Sequence, residues 1–375
     1  VTASYVVPWH LGNTLQRLPR DFETYVIGQG VSVHQKTYPG IRWIDLRLER
    51  KVVWLSDLQA LLALCRIFRT VRPDIVHSIM PKAGLLAALA GFVCRVPVRM
   101  HTFTGQIWAT QRGVKRLLFW SIDWLINALN TLCMTDSPSQ SAFLYKKGIR
   151  HGGVPLPVLS AGSLSGVDTG RFRPDGVMRR QVRKQLRIPE DATVFLYLGR
   201  LNRDKGITDL AQSFASLSDD KAHLILAGPD EGALEEALSL LVGCRDRVHV
   251  TGAVEQPEQM FQAADVFCLP SHREGFGSVV IEAAACGVPA IGSRIPGLVD
   301  AIEEGVTGML CPVGDVHAFA RCMEMMMEDP GKRAAMGERA RERAERLFSA
   351  DVLYDALRAQ YVQLAKKPMA HAAPD

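Results

Sequence analysis

Two carboxylates stand in one of the most apolar regions of the chain. The segment SHREGFGSVVIEAAACGVPAIGS, Ser271 to Ser293, carries Glu274, a Gly275-Phe276-Gly277 turn and Glu282. A carboxylate withdrawn from water is costly unless something hydrogen-bonds it. The segment is therefore either exposed, or a polar ligand fills the gap between the two acids. Ionised carboxylates only accept hydrogen bonds, which suits a diol or a pair of sugar hydroxyls. Gly275 and Gly277 permit a tight turn. Ser278 reads as the N-cap of a helix that carries Glu282 in its early turns. Backbone N–H groups converging at such a helix start attract anions and hydroxyl oxygens. The plainer alternative is that Glu282 pairs with an arginine or closes a capping box, but Ile281 stands at the position a capping box requires.

A second set of groups lies in LYLGRLNRDKGITDL, Leu196 to Leu210. A strand ending at Gly199 is followed by Arg200, then by Lys205-Gly206 at the next helix start. Two cations at a strand-to-helix turn form a diphosphate clamp. Taken alone, the same pattern also reads as a surface turn with solvated charges.

The elements that must position these groups follow from hydrophobic patterning. DIVHSI, VPVRMHTF and TLCMTDS read as strands in the first half, and TVFLYLGR, AHLILAG, RVHVTG, DVFCLP and VPAIGS in the second. Helical stretches such as 54–71 and 114–129 separate them. This alternation predicts α/β structure with parallel sheets, in two Rossmann-like domains. Gly, Ser, Asp and Pro cluster in VLSAGSLSGVDTGRFRPDG, placing a linker at 162–172. The domains are expected at 1–161 and 172–350, with a C-terminal helix at 351–368. That helix follows a solvated surface helix, broken near Ser349, with pairs such as Glu342/Arg346; the tail after Lys367 reads as frayed. A first strand should precede a turn at Gly12, and only VTAS is there to form it, so an incomplete first strand is expected.

Composition narrows the function. The 375 residues are 47% hydrophobic and 22% charged, an ordinary globular balance. The more apolar runs, Ala83–Cys94 and Trp124–Thr135, fall short of the roughly 20 residues a spanning helix needs, and no signal peptide is visible. The eight cysteines show no CxxC spacing and read as buried, reduced thiols of a cytosolic protein. Residues 1–200 hold 27 Lys/Arg against 12 Asp/Glu, and the remainder reverses the sign. A basic first half suits an anionic partner such as phosphate or anionic lipid. Nucleic acid is not expected, because no zinc-finger spacing, RNP-like motif or dense basic tract is present.

Together these residues resemble the retaining glycosyltransferases of the large family 4, which have the GT-B fold. Glu274 and Glu282 match that family's E-x7-E motif. Gly199, Arg200, Lys205 and Gly206 match G-R-x4-K-G. Gly166, Val167, Asp168 and Phe172 match G-V-D-x3-F. GLVDAIEEGVTGMLCPVGD matches a further run, with Asp300 in place of the usual Glu. In the first half, VHSIMPKAGLLAALAG, HTFTGQ and DSPSQSAFLYKKGI resemble enzymes that extend polyprenyl-diphosphate-linked sugars in bacterial O-antigen, capsule or glycan assembly, N-acetylgalactosaminyltransferases among them. The resemblance implies two domains facing across a cleft, with the last helix crossing back to the first domain. It implies a UDP-sugar donor, a polyprenyl-diphosphate-linked acceptor, and work at the cytoplasmic face of the bacterial inner membrane.

The resemblance also implies residue roles. Arg200 and Lys205 would neutralise the departing UDP diphosphate. Glu274, Gly275, Phe276 and Gly277, with Ser278, would hold the donor sugar. Glu282 would bind the ribose diol, and Gly199 and Gly12 would lie along the donor. His101 would sit near the reacting sugar carbon, and Lys82 and His77 near the acceptor. His101 alone also reads as a satisfied core histidine, and Lys82 as a surface lysine. No enzyme nucleophile is expected. No cofactor or metal is expected either: no Asp-x-Asp occurs, and two cations can replace a metal. The helix at 114–129 reads two ways, as a helix buried between sheet and loop or as a lipid-interface helix with Arg116, Trp120 and Trp124 on one ridge. Rival readings are a same-fold enzyme on soluble sugars, such as a sugar-nucleotide epimerase or α-glycosyl synthase, and a non-catalytic two-lobed binding protein.

Overall fold

The structure is a computed structural model that describes residues 1–49 and 52–366. The expected frayed tail, and residues 367–368 of the expected last helix, lie outside the described residues.

The chain forms two compact units. One comprises Val1–Gly166 and the chain from Ala350 onward; the other is Val167–Ser349. In the first unit, β1 (Thr24–Gly28) and β2 (Ile41–Asp45) pair in parallel, and β3 (Ile75–Ile79), β4 (Val98–Phe103) and β5 (Leu132–Thr135) form a second parallel sheet in that order. Its helices are α1 (Gly12–Leu15), α2 (Trp54–Val71), α3 (Pro81–Val93), α4 (Gly113–Leu129) and α5 (Pro138–Lys146), joined by the C-terminal helix Ala350–Lys366. The expected strand at the start of the chain is not there. Residues 7–11 form a π-helical turn that runs into α1, and Gly12 is helical, with φ −50°.

The C-terminal helix is part of the first unit's core. Leu353 and Leu357 pack with Met100, Met134 and Leu159, and Tyr354 joins Val7, Leu15 and Ile41. Its polar edge is tied down by Tyr354 donating to Asp21 at 2.5 Å and by the Arg17–Asp351 and Arg358–Asp21 pairs at 2.8 Å.

The second unit is built on one six-stranded parallel sheet. Its strands are β6 (Thr193–Leu198), β7 (Ala222–Ala227), β8 (Val248–Gly252), β9 (Val266–Leu269), β10 (Ala290–Ser293) and β11 (Gly308–Cys311), in the spatial order β11-β10-β9-β6-β7-β8. Helices α6 (Gly176–Gln185), α7 (Ile207–Ala215), α8 (Leu234–Leu240), α9 (Pro257–Ala263), α10 (Ser278–Ala285), α11 (Leu298–Ala301), α12 (Val316–Glu328) and α13 (Pro330–Phe348) complete it. Every residue of β7 and β9 is buried, as a parallel sheet covered on both faces requires. Asp175 caps α6 by accepting from Val177 N–H and Met178 N–H.

The helix read as solvated, α13, is instead half a core element. Met336, Ala340, Ala344 and Phe348 are buried, and Gly337 lies so close to the Gly287 carbonyl oxygen that a Cβ there would fall 2.1 Å from it. Its i,i+4 ion pair is Arg341–Glu345. All eight cysteines are free thiols. Among the described residues, no helix is long and apolar enough to cross a membrane.

Candidate functional site

The sheet of the second unit reverses its winding direction between β6 and β9. The chain steps outward from β6 to β7 and β8, then returns to lay β9 on the other side of β6, with Phe195 opposite Val266 and Leu196 opposite Phe267. Loops leaving adjacent strands in opposite directions open a crevice at their C-terminal ends, where α/β sheets bind ligands. The loop after β6 carries Gly199, Arg200 and Lys205, and the loop after β9 carries Glu274. The topology thus brings the two sequence motifs together.

Glycine permits the close approach. Gly206 has φ +71°, and a Cβ there would lie 2.0 Å from the carbonyl oxygen of Pro270 at the end of β9. Asn202 Oδ1 accepts from Lys205 N–H at 3.0 Å and shapes the short turn that precedes it. Lys205 Nζ then donates to Glu274 Oε1 at 2.5 Å, and Ser271 Oγ donates to the same oxygen at 2.8 Å. Both side chains are largely buried, at 21% and 11% exposure, so each charge offsets the other's desolvation. Arg200 is held in the same loop. Its carbonyl accepts from the buried Tyr197 hydroxyl at 2.7 Å, and its Nη1 donates to Glu231 Oε2 at 2.8 Å. Asn202 Nδ2 donates to that same Glu231 oxygen at 2.8 Å. One polar network therefore runs Arg200–Glu231–Asn202–Lys205–Glu274–Ser271.

The two acids of the apolar segment are in different states. Glu274 has protein partners. Glu282, the fifth residue of α10, is partly buried, and among the described residues nothing hydrogen-bonds its carboxylate. Burial pushes its carboxyl up to about 7; nearby Arg171 opposes the shift and Glu258 adds to it. A recessed, unpartnered acceptor of this kind suits a ligand donor.

Ser278 does not cap α10. The N-cap is Gly277, at φ +84°, and no side chain bonds the helix's first N–H groups. The turn ahead of α10 is held by packing. Phe276 is buried against Phe348 with ring centroids 5.1 Å apart. A Cβ on Gly297, at φ +91°, would lie 2.3 Å from the Gly275 carbonyl oxygen. Gly297 is thus a shaping residue; it opens the GLVDAIEEGVTGMLCPVGD run, which was read without a role for it, and its Pro296-Gly297 dipeptide is a turn signal.

In the first unit, Lys82 and His101 lie toward the C-terminal ends of β3 and β4. Lys82 Nζ pairs with Asp57 at 2.5 Å and donates to the Glu49 carbonyl at 2.6 Å. Met80, just ahead of α3, has φ +73°, a strained turn for a non-glycine residue. His101 is buried; its Nδ1 bonds Ser78 Oγ at 2.9 Å, and a Cβ on Gly84 would lie 2.5 Å from its Cε1. Burial lowers its basicity to a pKa of about 3, so its imidazole is neutral. His77 engages Tyr361 through Nδ1 at 2.7 Å and Thr102 through Nε2 at 2.8 Å. Both its ring nitrogens are therefore occupied, Nδ1 in seating the C-terminal helix and Nε2 in bracing β4. Gly12, at the start of α1, is buried, and a Cβ there would lie 2.9 Å from the Tyr38 hydroxyl.

Among the described residues, no group of three or more His, Cys, Asp or Glu side chains could hold a metal ion. The surface of the first unit carries an unusual apolar load. On α2, Trp54 and Leu55 are 84% and 77% exposed, with Leu58 and Leu62 also open; on α4, Val114, Leu117, Leu118 and Trp124 are exposed. The buried reading of α4 therefore fails for this face, although Trp120 is anchored, its Nε1 donating to the Lys147 carbonyl at 3.0 Å.

Comparison with known proteins supplies the family. A profile described as "Glycosyl transferases group 1" matches residues 178–343, and one described as "Glycosyl transferase 4-like domain" matches residues 6–157. The chain is 31% identical over 327 residues to the capsular polysaccharide biosynthesis glycosyltransferase CapM of Staphylococcus aureus, covering 85% of this chain and 84% of that one. It is 34% identical over 212 residues to a D-inositol 3-phosphate glycosyltransferase of Xylanimonas cellulosilytica, covering 54% and 51%. Among solved structures, Anabaena HepE in complex with UDP and glucose superposes with a TM-score of 0.81 at 20% identity, covering 96% of this chain and 98% of that one.

Proposed function

The chain belongs to the group 1 glycosyltransferases, with a glycosyltransferase 4-like N-terminal domain and the GT-B fold, and from that membership we propose its reaction. It moves a sugar, an N-acetylhexosamine, from a UDP-sugar to a polyprenyl-diphosphate-linked saccharide, with retention at the anomeric carbon and without a metal. The setting is bacterial capsule or related surface-glycan assembly, which the name of the S. aureus relative supports. The observation that carries the reading is the pairing of a preorganised cation network with an unpartnered carboxyl at the same switch point. That HepE holds UDP and glucose supports the choice of donor.

The mechanism follows from charge development. Breaking the anomeric C–O bond builds positive charge on the sugar and negative charge on the diphosphate. Arg200 and Lys205 stabilise the leaving group, and this stabilisation grows as the bond breaks. Lys205 is held by Glu274, so the diphosphate shares a cation already fixed in place. Glu274 and the turn Gly275-Phe276-Gly277, with Ser278, bind donor-sugar hydroxyls, and Glu282 accepts from the ribose diol. Gly199 lies along the donor. The departing phosphate helps deprotonate the acceptor hydroxyl on the same face, so Glu274 is not a nucleophile. By the family resemblance, Gly12 and His101 of the first unit serve the donor and Lys82 serves the acceptor. His77 serves the acceptor only through the strand it braces. The exposed apolar faces of α2 and α4, in the basic first half of the chain, form a peripheral contact with the membrane that carries the acceptor.

The test is acceptor-dependent UDP release in EDTA. Supplying a polyprenyl-diphosphate-linked saccharide should stimulate UDP release from a UDP-N-acetylhexosamine, and the product should carry an α linkage by NMR. Stimulation by soluble sugars alone would replace the lipid-linked acceptor. A β-linked product would remove retention.

A further inference from the structure

We propose that Glu231 is a positioning residue for the leaving-group cations. The inference rests on the reading of Arg200 and Lys205 given above and extends it to a residue outside both motifs. Glu231 lies in the loop after β7, beyond Gly228-Pro229-Asp230. That loop is stitched to the loop after β6 by backbone pairing: Leu201 N–H donates to Pro229 O at 2.9 Å, and Glu231 N–H donates to Leu201 O at 3.0 Å. Gly228 makes the approach feasible, since a Cβ there would lie 1.9 Å from the Gly199 carbonyl oxygen. The backbone therefore delivers the Glu231 carboxylate to one place.

At that place one oxygen, Oε2, accepts from both Arg200 Nη1 and Asn202 Nδ2, each at 2.8 Å. The first bond fixes the guanidinium while leaving its other N–H groups for a ligand. The second fixes the amide whose Oδ1 accepts from Lys205 N–H at 3.0 Å. One carboxylate thus sets the direction of Arg200 directly and the backbone origin of Lys205 through Asn202. Arginine and lysine side chains are long and rotamer-rich, and small misplacements of catalytic groups are costly in rate. A fixed anchor reduces the reorganisation needed when charge develops on the diphosphate. The inference differs from a simple counter-ion role, in which Glu231 would only compete with the ligand for Arg200.

The two roles predict opposite outcomes. Steady-state turnover of the UDP-hexosamine used by the wild type is compared in E231A, E231Q, R200A and R200A/E231A, each checked for native circular dichroism and melting temperature. Positioning predicts that E231A loses about tenfold to a hundredfold in kcat while its donor KM stays within about threefold, as expected when only transition-state stabilisation is lost. E231Q, whose amide oxygen can accept the same two bonds, should recover most of that loss. In the R200A background, E231A should cost much less than it does alone. Unchanged or raised kcat in E231A, with tighter donor binding, overturns the inference in favour of a competing counter-ion. Equal losses in E231A and E231Q overturn it as well, because geometry would then not be what matters. Impaired R200A beside unimpaired E231A overturns the Glu231 inference alone; fully active R200A overturns the reading of Arg200 and this inference with it.

Discussion

Lys205, held by Glu274, and Glu282, held by no protein group among the described residues, are the side chains on which the proposed donor site turns most directly. Burial holds the Glu282 carboxyl at about 7 against an ordinary value of 4.5. Between those values the folded protein binds a proton that the unfolded chain does not. This group's contribution to stability is therefore full below that window and is lost as pH rises through about 7. In the proposed site a ribose diol donates to the ionised form, so binding runs the other way. UDP-sugar affinity should rise with pH across the same window, and E282Q should flatten the rise; titration calorimetry from pH 6 to 8 reads both. An E282Q profile as steep as the wild type's would place the titrating group elsewhere. At Lys205, replacement by Ala should lower kcat by about a hundredfold to a thousandfold, the usual loss on removing one preorganised transition-state donor, as single-turnover assays would show. Motif spacing exposed both carboxylates and both cations, because they are charged residues at fixed offsets from strand ends. It missed Glu231 because that residue reaches the site through strand pairing, a contact across 31 residues that no local pattern encodes.

The elements around the site are set by backbone conformation more than by capping chemistry. Gly206 shows this most sharply, with its positive φ and its contact against the Pro270 carbonyl. G206A should cost roughly 1–3 kcal/mol for the left-handed conformation alone, with the clash added, and thermal unfolding would register a clear fall in melting temperature. A variant as stable as the wild type would mean that the two loops are not locked together there. The long buried strands of the second unit were legible because their apolar runs are bounded by turn residues. β1, β2 and β11 were not: β2 interrupts its apolar residues with Arg42 and Asp45. Ser278 resembles an N-cap, but the left-handed Gly277 takes that position, an outcome decided by packing of the turn against Leu298 and Phe348. α13 looked solvated because its charges dominate its composition, while its buried stripe is mostly the small residues Gly337, Ala340 and Ala344.

At the scale of the whole molecule, strand–helix alternation was enough to read two α/β units. The return of the chain to the first unit at Ala350 rests on side chains such as Tyr354 and Leu357, whose partners are hundreds of residues away. The apolar exposure of the first unit belongs to this scale as well. Alternating burial cannot explain α2, which buries Ala60, Leu64 and Phe68 yet exposes Trp54, Leu55, Leu58 and Leu62. Replacing Trp54, Leu58 and Trp124 with Ala together should reduce co-sedimentation with phosphatidylglycerol vesicles several-fold relative to wild type, with the loss most visible in high salt, where charge attraction is screened. Equal sedimentation would remove the membrane contact from the proposal.

The central claim, a metal-independent site for a UDP-sugar at the β6/β9 switch point, is tested most directly by a thermal-shift panel of UDP, GDP, ADP and several UDP-sugars, each with and without EDTA. Ligand at 100 times its dissociation constant stabilises a protein by about 2.7 kcal/mol, a readily measured shift. The expected result is stabilisation by UDP and UDP-sugars that survives EDTA and is lost in E282A. Stabilisation by GDP or ADP instead, or by no nucleotide in a folded sample, would contradict it.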